Sequence, residues 1–173
     1  MADVNYALAS LGAVASSSGA ASGHGADLAI DGNDVTWWQS SHSLSLSPWL
    51  AVDLGAPQYI TYVSFLNGNA PNGSVQLNVR ASVDGVNWSV ITGAVVVAGE
   101  NVIQVGGSIY RHWQIYDTGA GSAAWYVYSF RVYGPAEAPP NPETPMCDQI
   151  TAWLDSVETN FVPCVEDWLA ANP

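Results

Sequence analysis

The segment Ser74-Val-Gln-Leu-Asn-Val-Arg-Ala-Ser82 alternates apolar and polar residues without a break. Val75, Leu77, Val79 and Ala81 fall on one side; Gln76, Asn78 and Arg80 fall on the other. A period of two is the signature of a β-strand with one dry and one wet face. Trp49-Leu-Ala-Val-Asp-Leu54 and Tyr59-Ile-Thr-Tyr-Val-Ser-Phe65 read as two further strands, separated by a turn at Gly55-Ala-Pro57. Ala94–Val105 reads as a hairpin turning at Gly99-Glu-Asn101, and Asp84-Gly85 marks another hairpin before Trp88. Tyr110–Tyr116 and Trp125–Tyr133 supply two aromatic-rich strands. Short strands with Gly-rich turns and no helical period predict an all-β sandwich or jelly roll over residues 1–134. Pairing of its first and last strands would bring the ends of this unit together.

The remainder is different in kind. Residues 135–145 hold five prolines in eleven positions, which predicts a stiff linker. Residues 146–173 then carry apolar residues at threes and fours, among them Ile150, Trp153, Val157, Phe161 and Trp168. This predicts an amphipathic helical tail, kinked at Pro163, that docks or oligomerises. Both cysteines, Cys147 and Cys164, lie there. On one helix they would stand about 25 Å apart at ~1.5 Å rise per residue. A disulfide needs Cα atoms within roughly 7 Å, so an intrachain bridge is not expected.

Charge excludes some functions. Fifteen acids face three arginines, and the formal net charge is −12. Such a surface repels a phosphate backbone and an anionic membrane, so neither nucleic acid nor a membrane is an expected partner. No apolar run approaches the ~18 residues that read as a membrane span. Catalysis is not expected either. His24, His42 and His112 are scattered, with no nucleophile and acid placed beside any of them. Most acids of the β-part sit at turns (Asp31, Asp34, Asp84) or at a strand end (Asp53).

Two patches could bind. In Leu28-Ala-Ile-Asp-Gly-Asn-Asp-Val-Thr-Trp-Trp38, an Asp, an Asn and a Thr crowd a glycine turn. Their oxygens suit a hard cation such as calcium, or else cap local backbone donors. The adjacent Trp37 and Trp38 point to opposite faces if extended, which puts one in the core and leaves the other to stack on a sugar ring.

Three stretches in order resemble the discoidin family, which takes in the coagulation-factor C-type domains and the family 32 carbohydrate-binding modules. They are Ala29–Trp38, then Pro48-Trp-Leu-Ala-Val-Asp-Leu-Gly55, then Ser82-Val-Asp-Gly-Val-Asn-Trp88. Tyr110-Arg-His-Trp-Gln-Ile115 and Ser129-Phe-Arg-Val-Tyr-Gly134 are similar to the family's last strands. The resemblance covers about residues 4–134. It implies a discoidin-like jelly-roll β-sandwich that binds ligands through loops at one end and catalyses nothing. It also implies a structural Ca2+ held by the Leu28 carbonyl, the Asp31 carboxylate, the Asn33 carbonyl and both oxygens of Thr36. Ser129 stands where the family often adds a Glu ligand. A glycan would meet the loop end carrying Trp37 or Trp38, His42, Asn69 and Asn72. The loop Asn67–Gly73 has no Arg, which sugar-binding members often place there.

The functional expectation is a non-catalytic binding or attachment subunit. The start of the chain lacks a basic n-region. A virion or an extracellular surface reached without Sec export, after cytoplasmic synthesis, is therefore the expected setting, with a bacteriophage capsid decoration, fibre or tail protein as the specific case. Expected partners are other protein subunits and cell-surface glycans. A purely structural assembly protein and a free carbohydrate-binding module are the alternatives.

Overall fold

The computed structural model describes residues 3–43, 47–68, 75–118 and 124–136. The predicted helical tail, with Ile150, Trp153, Val157, Phe161, Trp168 and both cysteines, lies outside the described residues, as does all but the start of the linker. Among the described residues eight strands follow one another: β1 (Asp3–Asn5), β2 (Val14–Ser17), β3 (Trp38–Ser43), β4 (Trp49–Asn67), β5 (Val75–Ser82), β6 (Ser89–Val96), β7 (Gly99–Asp117) and β8 (Ala124–Pro135). Every pair of neighbours is antiparallel, in the order β1-β8-β4-β7-β5-β6, with β2 on β4 and β3 on β8.

One of the predicted turns is a bend. The structure joins Trp49–Leu54 and Tyr59–Phe65 into the single strand β4, whose ladder with β7 breaks after Asp53 and resumes at Gln58. Gly55 takes φ 81°, and its N–H donates to Asp53 Oδ1 at 2.8 Å, so the chain bulges there without reversing. A second break, between Ile60 and Tyr62, lies opposite Gly106 and Gly107, both left-handed at φ 72° and 76°. Because of these bends the two long strands serve two layers. The first half of β4 lies with β2, β5, β6 and the second half of β7. The second half of β4 lies with β8 and the first half of β7. Strands that bend across a corner are how a sandwich closes on itself.

The expected hairpin over Ala94–Val105 is also corrected. β6 pairs with β5, while β7 pairs with β4 and β5. Asn101 explains the difference. Its Nδ2 donates to Val97 O and Gly99 O, each at 2.9 Å, and its Oδ1 accepts from Val97 N–H at 3.1 Å. Asn67 of β4 donates to the same Val97 carbonyl at 3.1 Å. The turn is closed by side chains, so it needs no ladder beneath it.

The Asp84-Gly85 turn between β5 and β6 forms as the sequence predicts. Asp84 Oδ1 accepts from the N–H groups of Val86 and Asn87 at 2.9 and 2.8 Å. Those backbone donors, with the side chains of Asn87 and Ser82, hold its carboxyl well below the ordinary carboxylate range. The ends of the unit meet, also as expected: Asp3 faces Pro135 across the β1–β8 ladder, and Tyr6 donates its hydroxyl to Pro135 O at 2.7 Å.

The core between the layers is built by the period of two. Leu50 and Val52 of β4, Leu77, Val79 and Ala81 of β5, and Trp113 and Ile115 of β7 are buried. From the other layer come Val63, Phe65, Trp125, Val127, Phe130 and Val132. Trp38, Trp113 and Trp125 have no exposed surface. The other three tryptophans of the sandwich, Trp37, Trp49 and Trp88, remain half-buried on its outside.

Candidate functional site

β3 and β8 pair with Trp38 opposite Val127 and Gln39 opposite Tyr126. Trp38 and Val127 point inward and are fully buried, so Trp37, Gln39, Tyr126 and Tyr128 are left on the outer side. These four residues line one shallow cleft of ≈ 220 Å³. The expectation that Trp38 contacts a ligand is thereby corrected. Its ring packs edge-on against Trp125 at 5.6 Å, and its Nε1 donates to Gly19 O at 3.3 Å. Trp38 is core.

Trp37 is held from two sides. The His24 ring stacks on it with centroids 4.4 Å apart and planes 22° from parallel. Tyr128 leans against it at 5.6 Å and 56°. His24 is fixed in turn: its N–H donates to Ala21 O at 3.0 Å, its carbonyl accepts from Gln39 N–H at 3.3 Å, and Nδ1 lies 3.3 Å from Trp37 O. Gly68 closes the far side, since a Cβ there would run into the Tyr128 ring. Trp37 Nε1 is buried and makes no hydrogen bond among the described residues.

His42 contributes backbone to β3, and its side chain lies outside the described residues, as do Asn69 and Asn72. Of the two predicted ligand residues whose side chains are described, Trp37 lines the cleft and Trp38 lies in the core. Sequence reasoning missed His24, Gln39, Tyr126 and Tyr128. A signal for two of them was present: in Trp125-Tyr-Val-Tyr128 the tyrosines are two apart on a strand and must share a face.

The four residues assigned to calcium do converge. Thr36 Oγ1 lies 2.7 Å from Asp31 Oδ2, 2.9 Å from Asn33 O and 3.5 Å from Leu28 O. A hydroxyl has one proton to give, so three acceptors around it leave oxygen lone pairs in excess. The donor set is all oxygen and fits a hard cation. Asp31 Oδ1 also accepts Asn33 N–H at 2.8 Å, which bends the loop. Nearby, Arg131 grips Asp34 with Nη2 at 2.6 and 2.7 Å and reaches Glu100 with Nη1 at 3.1 Å. This ties the loop to β8 through a protein cation. Ser129 is buried, and its Oγ has no partner among the described residues.

A family model, the F5/8 type C domain, matches residues 12–114. No curated protein matches the sequence. Among solved structures, the family 32 module of Clostridium perfringens NanJ, in complex with galactose, aligns with a TM-score of 0.65 at 15% identity, covering 77% of this chain and 100% of that one. Chitosan-binding module 2 of a Paenibacillus sp. IK-5 chitosanase/glucanase, in complex with chitotriose, aligns at 0.64 and 24% identity, covering 75% and 100%. Module 1 of the same enzyme aligns at 0.63 and 21%, covering 76% and 99%. At these identities the likeness is one of fold.

Proposed function

The chain belongs to the F5/8 type C domain family, and from that membership we propose that it is a non-catalytic carbohydrate-binding module whose glycan site is the Trp37 cleft. The clamped ring of Trp37 carries this reading. An indole plane fixed by His24 and Tyr128 offers a rigid platform to the C–H face of a sugar, and little conformational freedom is lost on binding. The Gln39 amide is the group that would orient hydroxyls. None of the four lining residues is a carboxylate, so the cleft lacks the carboxylate pair on which most glycoside hydrolysis depends. Solved neighbours of the same fold hold galactose, GalNAc-β-1,3-galactose and chitotriose, which sets the range of probes.

Calorimetric titration of the full chain with galactose and with chitotriose tests the reading. We expect weak binding of at least one, as suits a shallow cleft. Trp37→Ala should weaken it at least about tenfold, the loss of roughly 1.4 kcal/mol of contact. No heat with either sugar, or binding indifferent to Trp37→Ala, would sink it.

In the same reading, calcium is held by the Leu28 and Asn33 carbonyls, the Asp31 carboxylate and Thr36. It would supply loop rigidity by occupying the excess lone pairs. The protein melted with and without chelator should show a lower Tm in chelator, and Asp31→Ala should remove the difference. Identical melting curves for the wild-type chain would refute the site. The tail predicted to dock on other subunits lies outside the described residues, and the proposed function is confined to glycan binding.

A further inference from the structure

On the outer face of the layer containing β2, β4, β7 and β5, one row of side chains is low and its neighbours are high. The low row runs Ser16, Ala51, Gln114, Arg80, each the cross-strand partner of the next. Trp49 and Tyr116, partners of one another, stand on one side. Asp53 and His112 stand on the other, where Trp88 meets the His112 ring edge-on at 6.5 Å. The short side chains of Ser16 and Ala51, between the Trp49–Tyr116 and Asp53–His112 pairs, leave a trough. It comprises two adjoining cavities of ≈ 270 and ≈ 300 Å³ that share Ser16, Gly85 and Trp88.

The trough contains two unanswered polar groups. Gln114 is 4% exposed, and its Oε1 accepts no hydrogen bond among the described residues. Arg80 Nε is buried and likewise has no acceptor. The guanidinium lies 3.5 Å from the centre of the Tyr116 ring, which fixes its position. The other two arginines are neutralised, Arg111 by Asp53 and Arg131 by Asp34 and Glu100. Arg80 has no ion pair among the described residues, in a chain with fifteen acids. Asp53, the acid on the trough's flank, is already held by Arg111, and no acid among the described residues pairs with Arg80. Burying a donor and an acceptor without partners is costly, and a ligand that brings both complements removes the cost.

We propose that this trough is a second binding site, separate from the Trp37 cleft, for a carboxylate-bearing sugar residue. The carboxylate takes the Arg80 fork, a ring hydroxyl donates to Gln114 Oε1, and the apolar ring face lies on Trp88. One acidic sugar carries an anion, hydroxyl donors and a C–H face on a single ring, which is the combination the trough lacks.

Trigalacturonate and free N-acetylneuraminate, neither of which carries a galactose residue, are the probes titrated into the full chain, with methyl-esterified trigalacturonate as the uncharged control. At least one acidic probe should bind. Arg80→Gln should weaken that binding at least about tenfold, and Gln114→Leu, which removes the orphaned acceptor without changing bulk much, should weaken it severalfold. The ester should bind at least about tenfold more weakly than trigalacturonate if that is the probe that binds. Trp37→Ala should leave it unchanged, which separates this site from the cleft. Absence of binding by both acids, or binding that survives both Arg80→Gln and Gln114→Leu, would overturn the proposal. So would loss of acid binding on Trp37→Ala.

Discussion

Trp125→Ala is expected to destabilise the sandwich by about 4–6 kcal/mol, read as a fall in the midpoint of denaturant unfolding. The ring has no exposed surface and packs edge-on against Trp38, so truncation opens a cavity between the layers. Excision of a large aromatic side chain from a core costs about 3–5 kcal/mol. A second loss is added here. Trp125 Nε1 donates to Asn67 Oδ1 at 2.9 Å in a buried bond, and Asn67 is 2% exposed. Its carbonyl would be left without that donor, at about 1 kcal/mol or more. Trp125→Phe separates the two contributions, because it keeps most of the packing and loses the bond. A fall below about 2 kcal/mol for the alanine variant would mean that the core is not organised around this residue.

Gly134→Ala should cost about 3 kcal/mol or more, the upper range for overpacking. A Cβ at this position would collide with the backbone carbonyl of Tyr59, just beyond the antiparallel β4–β8 ladder, and would press on the Tyr6 ring. A flexible side chain could move aside, but a carbonyl within a ladder cannot. Gly12→Ala is the control. It meets nothing within 4 Å but carries φ 91°, so it reports backbone strain alone and should cost only about 1 kcal/mol. Equal effects of the two substitutions in denaturant unfolding would contradict the close approach at Gly134.

The sequence displays what is local. β5 is legible because its wet and dry faces alternate without interruption. The Asp84-Gly85 turn is legible because its hydrogen bonds close within four residues. Bends are less so: Gly55-Ala-Pro57 contains the residues of a reversal, and only the resumption of pairing at Gln58 shows that the strand continues. The choice between Trp37 and Trp38 was half legible. Alternation says that they diverge, but which one is dry is decided by Val127, opposite Trp38 on a strand far along the chain. His24 looked isolated for the same reason, since its stacking partner lies thirteen residues away. The trough is the extreme case. Ser16, Ala51, Gln114 and Arg80 acquire meaning only from the register of four strands at once.

The pairing of Asp3 with Pro135 has an architectural consequence. Adjacent strands lie about 4.8 Å apart, so the points where the backbone enters and leaves the sandwich are separated by roughly one strand width. A surface loop of another protein can accept the whole sandwich as an insertion, with its two halves barely spread and little added closure entropy. The Trp37 cleft lies toward the other end of β8, with Tyr126 nine residues from Pro135, or about 30 Å at ~3.3 Å per residue. A host held at the Asp3–Pro135 junction would therefore grip the sandwich by one pole and leave the cleft facing outward at the other.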